Sequence, residues 1–165
     1  MQKKKILGNT QILNKIKRIS LQIIESNLDS RKIIICGIEK NGAFLAQKIC
    51  EELNHITKKN IIFCNIKINK SYPTENIKLS IDKKICENQS IVIVDDVLNS
   101  GKTLTYAVKH FLDIEVESIK TAVLVNRSHK KFPISADFKG INLSSSLQNH
   151  VDVVFSKDMI EAFLF

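Results

Sequence analysis

From Thr10 to Asn27 apolar residues recur at helical spacing. They are Ile12, Leu13, Ile16, Ile19, Ile23 and Ile24, and Asn9 or Thr10 is a plausible cap. The pattern then changes: Ile33-Ile34-Ile35-Cys36-Gly37 is a short apolar run of the kind buried on both faces in a parallel sheet. Leu45, Ile49 and Leu53 restore the helical period over Gly42–Leu53, and Ile61–Ile68 predicts a second strand. The polar stretch Asn69–Asn76 contains Pro73, which cannot continue a central strand. Ile77, Leu79 and Ile81 alternate with polar residues as in a half-buried strand. Ile91–Val94 is a third apolar run, and Leu104, Ala107, Val108, Phe111 and Leu112 mark an amphipathic helix after it. Ala122–Val125 predicts the last strong strand, and Val151–Phe155 a peripheral one. Strands alternating with helices imply an α/β fold with a largely parallel sheet. Neither repeats nor linkers interrupt the pattern, so a single domain over residues 1–165 is expected.

Such sheets bind ligands beyond the carboxyl ends of their strands. That directs attention to Glu39–Gly42, to Asp95–Thr103 and to the stretch beginning at Asn126. Asp95 and Asp96 follow the run Ile91–Val94 and are expected to emerge at its carboxyl end. The turn Leu98-Asn99-Ser100-Gly101-Lys102-Thr103 leads into the amphipathic helix, and its small residues let backbone N–H groups approach an anion at a helix start. Ser100 and Thr103 add hydroxyl donors. Two carboxylates would repel a lone phosphate. They make sense as acceptors for sugar hydroxyls, with a magnesium ion offsetting the remaining charge. Gly101-Lys102-Thr103 also matches the end of a P-loop, but that motif needs a glycine five residues ahead of Gly101, where Asp96 stands.

Composition narrows the setting. Hydrophobic residues make up 44% and charged residues 25%, ordinary for a globular chain, and no apolar run is long enough to predict a membrane span. The basic start MQKKKILGNTQ lacks the apolar region of a secretory signal, so a cytoplasmic protein is expected. Cys36, Cys50, Cys64 and Cys86 form no C-x-x-C pair and read as reduced, buried hydrophobes rather than zinc ligands. The net charge of +8 admits phosphorylated ligands or RNA; it is almost entirely lysine, however, with arginine only at positions 18, 31 and 127.

The segment IVIVDDVLNSGKT resembles the phosphoribosyl-pyrophosphate motif of type I phosphoribosyltransferases. The resemblance extends over most of the chain. IIICGIEKNGAFLAQKICEEL looks like that fold's strand, pyrophosphate loop and helix, and AVLVNRSHKKFPISADFKG looks like the base-side region of the pyrimidine-operon attenuator/uracil phosphoribosyltransferases. It implies a mostly parallel central sheet flanked by helices with a small hood, magnesium as cofactor, and often a dimer. It further implies that Asp95 and Asp96 hold the ribose hydroxyls and that Asn99, Ser100, Gly101, Lys102 and Thr103 wrap the 5′-phosphate. Lys40, Asn41 and Gly42 would face pyrophosphate, Ser71 and Tyr72 would belong to a mobile catalytic loop, and Asn126, Arg127 and His129 would stand on the base side.

The same resemblance bears on the base. Hypoxanthine-guanine enzymes carry an aspartate at the position of Asn99 and a lysine at that of Asn126; the attenuator branch has an aspartate at the latter, which Asn126 matches in shape. Asn99 cannot serve as a base. Uracil is therefore the expected acceptor, with hypoxanthine or guanine as the alternative that Lys40 and the Ser71-Tyr72 pair favour. A nucleotide-responsive RNA-binding regulator of pyrimidine genes is the other reading, on the strength of the basic run Arg127–Ile134. Asn41 stands where the attenuator branch has an arginine, so a bidentate contact to pyrophosphate is lost and Lys40 is left as a point charge.

Overall fold

The computed structural model describes residues 3–144, 149–156 and 159–165. Strand β1 (Lys4–Leu7) leads into α1 (Asn9–Glu25), followed by β2 (Lys32–Ile38), α2 (Asn41–Ile56), β3 (Asn60–Lys67) and the short β4 (Lys78–Leu79). Then come β5 (Ser90–Leu98), α3 (Lys102–Phe111), β6 (Ser118–Arg127), β7 (Phe138–Leu143), β8 (Val151–Phe155) and β9 (Ile160–Leu164). Six strands form the main sheet in the order β4-β3-β2-β5-β6-β7, parallel except for β4. The remaining three form an antiparallel sheet, β1-β9-β8. This is the expected α/β fold with its hood.

The apolar runs fill both faces of the main sheet. Ile33, Ile35, Val92 and Val94 point to the core shared with α1, α2 and the small sheet; Ile34, Cys36, Ile91 and Ile93 point to the core under α3. Removing each such isoleucine from water contributes about 1.5–3 kcal/mol. Alternation between two buried faces explains why these strands read as unbroken apolar runs. All four cysteines are free and buried, as expected. At the amino-terminal end of β5, Ser90 and Ser30 both donate to Glu117 Oε2, at 2.7 and 2.9 Å.

Three strands lie where the periodicity predicted none: β1, β7 and β9. The alternation at Ile77, Leu79 and Ile81 yields only the two residues of β4, although all three side chains pack against the α3-side core. The largest difference is at β5, which runs on to Leu98. Asp95 and Asp96 thus lie within the strand rather than beyond its end, with Asp95 in register with Val123 of β6. Among the described residues no helix is long and apolar enough to cross a membrane.

Candidate active site

The turn after β5 is shaped by Gly101, whose φ of 84° lies in the left-handed region. A Cβ there would also stand 2.7 Å from Ile134 Cγ2. The glycine caps α3, so the backbone of Ser100–Thr103 opens at a helix start. Ser100 O accepts the N–H groups of Lys131 and Phe132 at 2.8 and 3.1 Å, so the basic run following β6 is docked on the back of this loop. A cavity of about 330 Å³ lies in front of it, walled by the continuous run from Asp95 to Leu104, by Lys70 and Arg127, and by His150, Val151 and Asp152.

Asp95 and Asp96 are 5% and 9% exposed. Burial, and then the neighbouring Asp96 carboxylate, push the Asp95 carboxyl up to about 7, against the opposing pull of Lys70. Lys70 Nζ reaches Asp95 Oδ1 at 3.2 Å. Asn41 Nδ2 donates to Asp96 Oδ2 and to the Val153 carbonyl, both at 2.9 Å, linking the acid pair to the hood strand β8. The start of α2 comes this close because position 42 is glycine: a Cβ would lie 2.7 Å from Val94 O and 2.9 Å from Asp95 Cα.

A second cavity of about 380 Å³ is walled by Glu39, Lys40, Asn41, Ile68 and Lys70. The Glu39–Lys40 peptide bond is cis, and Glu39 Oε1 accepts from Asn65 Nδ2 at 2.8 Å.

The structure thus brings together Asp95, Asp96, Asn99, Ser100, Gly101, Lys102, Thr103 and Arg127 around one cavity, and Lys40 and Asn41 around the adjoining one. Arg127 is buried and donates from Nη1 to Asn99 Oδ1 at 3.2 Å. Asn126 stands apart from both cavities: its Nδ2 donates to Asn142 Oδ1 at 2.7 Å, because the two residues are register partners on β6 and β7. His129, Ser71 and Tyr72 also lie outside the two linings, with Tyr72 66% exposed. Ser71 takes part through its backbone, its carbonyl accepting from Lys102 Nζ at 3.3 Å. Sequence reasoning did not single out Lys70, nor the hood residues His150, Val151 and Asp152. Lys70 sits in a loop already marked as a candidate lid, and its charge was the available signal. The hood residues carried none.

Comparison with known proteins places this geometry. The phosphoribosyl transferase domain family matches residues 2–156. A bifunctional protein PyrR from Leuconostoc mesenteroides is 30% identical over 98% of this chain and 98% of its own length. Another bifunctional protein PyrR, from Streptococcus thermophilus, is 29% identical over 95% and 92%. Among solved structures, a hypoxanthine-guanine phosphoribosyltransferase from Bacillus anthracis superposes with a TM-score of 0.75 at 16% identity, covering 96% of each chain. The hypoxanthine phosphoribosyltransferase of Trypanosoma cruzi gives 0.75 at 18% identity, covering 96% of this chain and 95% of its own. At those identities the solved structures speak for the fold alone. The family match, the full-length relatives and the buried acid pair beside the open Ser100–Thr103 turn agree: the chain belongs to the type I phosphoribosyltransferases and is PyrR-like.

Proposed function

We propose that the protein transfers the 5-phosphoribosyl group of 5-phosphoribosyl-1-pyrophosphate to a ring nitrogen of a nucleobase, uracil foremost, and releases pyrophosphate. The observation that carries this reading is the shared cavity in which buried Asp95 and Asp96 lie beside the open Ser100–Thr103 backbone. Acceptors for two sugar hydroxyls and donors for a phosphate then stand side by side. The base nitrogen forms the new bond to the ribose carbon; the bond from that carbon to the pyrophosphate oxygen breaks with its electron pair leaving on oxygen; the base N–H proton passes to solvent. No side chain needs to become covalently attached, so the protein works by positioning and by stabilising charge.

Magnesium fits this donor set. Among the described residues no group of three or more histidine, cysteine, aspartate or glutamate side chains could cage a metal. One or two carboxylates completed by phosphate oxygens and water is the usual magnesium arrangement. Asp95 and Asp96 would hold it on the protein side, and the ion would neutralise charge on the departing pyrophosphate.

Uracil is favoured over purines by Asn99, whose amide is no proton acceptor and whose oxygen is occupied by Arg127. A panel of uracil, hypoxanthine, guanine and xanthine with the ribosyl donor and magnesium tests the proposal. Nucleotide formation from uracil is expected, and turnover of none of the four would refute it. Turnover of hypoxanthine or guanine instead would move the assignment to purine salvage. A second, compatible reading is nucleotide-responsive RNA binding. Lys130 and Lys131 are exposed on the run that docks against the phosphate loop, so ligand in that loop and RNA on the run would be in physical contact through Ser100. It predicts RNA affinity that falls steeply with salt; salt-insensitive binding would count against it.

A further inference from the structure

Lys70 is the one described residue that lines both cavities. Its side chain is 46% exposed and its ammonium lies against an Asp95 carboxylate that is almost fully enclosed. The other polar groups of the second cavity are few. Asn41 spends its amide on Asp96 and on Val153 O. Glu39 is itself an acid and accepts from Asn65. Lys40 is then the sole other cation in that wall, which is thin provision for a ligand as highly charged as pyrophosphate.

Resting on the phosphoribosyl-transfer reading above, we propose that Lys70 is a pyrophosphate-binding cation which occupies Asp95 in the empty protein and passes to the second cavity when ligand takes over that carboxylate. The chemistry of lysine suits the exchange: a compact charge on a flexible four-carbon stem can turn between neighbouring acceptors without moving its backbone. Its loop is also tethered, because Lys102 Nζ holds the carbonyl of the next residue, Ser71. The anchor keeps Lys70 at the boundary between the cavities while its tip turns. While the ammonium remains on Asp95 it competes with a sugar hydroxyl or a metal for the same oxygen. Once displaced, it adds positive charge on the leaving-group side, where the loop Glu39–Gly42 has no arginine. One residue thereby pairs with Asp95 at rest and with the leaving group in the complex.

The test is calorimetric titration of the full chain, in magnesium, with two separate probes: ribose 5-phosphate and inorganic pyrophosphate. Lys70→Gln should weaken pyrophosphate binding by about tenfold, the loss expected for one charge-assisted contact, and leave ribose 5-phosphate equal or tighter. Lys70→Arg should restore pyrophosphate affinity to within about threefold of the parent. Pyrophosphate affinity unchanged in Lys70→Gln overturns the assignment, as does a parallel loss of both ligands, which marks a merely structural residue. A parent protein that binds neither probe instead overturns phosphoribosyl transfer itself, and this inference with it.

Discussion

Asp95→Asn should stabilise the unliganded protein while destroying its affinity for the ribosyl donor. The carboxyl of Asp95 is raised from 3.8 to about 7, chiefly by burial and then by Asp96. Between those two values the folded chain keeps a proton on Asp95 that the unfolded chain has released, so stability falls as pH rises across the window. Above pH 7 the whole penalty is present, about 4 kcal/mol. Asparagine preserves the shape and leaves an oxygen for the Asp96 N–H, which donates to Asp95 Oδ1 at 3.1 Å. The Lys70 ion pair that it loses is already included in that net rise, because the lysine's pull opposes burial and Asp96. The net expectation is a variant about 4 kcal/mol more stable at pH 8. At pH 5 most of the penalty has been relieved by protonation, and the advantage should shrink by about 2–3 kcal/mol. The chain contains no tryptophan, so urea unfolding is best followed by far-ultraviolet circular dichroism at the two pH values. An advantage identical at pH 5 and pH 8, or a variant less stable than the parent at pH 8, would refute the reasoning.

Other substitutions probe the surrounding geometry. Gly101→Ala forces a side chain onto a left-handed backbone and against Ile134; it should cost about 1–3 kcal/mol in thermal unfolding and weaken ribose 5-phosphate by more than about tenfold in calorimetry. Asn41→Ala removes both hydrogen bonds between α2, Asp96 and the hood, and should cost about 1–3 kcal/mol, with faster amide exchange in β8 as the local signature. The thiols give a test that needs no mutant. Cys64 is lowered to about 7 by its hydrogen bond with Cys36, yet both are wholly buried, so access should govern over acidity. None of the four should react with an aromatic disulfide reagent until denaturant unfolds the chain, and rapid labelling of Cys64 in the native protein would contradict the packing.

How much of this was legible in the sequence depended on how local the cause was. The strands β2, β5 and β6 announced themselves because both their faces are buried, and α1 and α3 because one face is. Strand β1 pairs with β9, whose residues are contributed by the opposite end of the chain, so neither short segment carries its own reason for being extended. The alternation in β7 is broken at Gly140, where a Cβ would stand 2.3 Å from the Leu124 carbonyl, and the missing side chain erased the period. Among the candidate site residues, the turn Asn99–Thr103 was readable because its residues are contiguous. Asn126 was not, since its neighbour Asn142 lies on another strand and turns its amide into a cross-strand bond. Lys70 was present in plain view, but its meaning depends on Asp95, twenty-five residues away and across the cavity.

The placement of the acid pair inside β5, rather than at its end, changes what the site demands of the fold. A strand interior surrounds a carboxylate with backbone and apolar neighbours, and the raised proton affinity of Asp95 follows from that enclosure. A pair at the strand tip would be solvated, cheaper to ionise and weaker as a ligand for sugar hydroxyls, because water would compete for the same oxygens. The enclosure is tolerated because two side chains from other elements reach the pair: Asn41 at the start of α2, admitted by the absent side chain of Gly42, and Lys70 from the loop after β3. Both are replaceable partners. On the proposed function, ligand hydroxyls and a metal would supply the same interactions, so binding would substitute one set of contacts for another at oxygens that are already desolvated. On this argument the tension at Asp95 belongs to the empty protein alone. The stabilising effect of Asp95→Asn should therefore vanish, and reverse, when unfolding is measured with saturating ribosyl donor and magnesium.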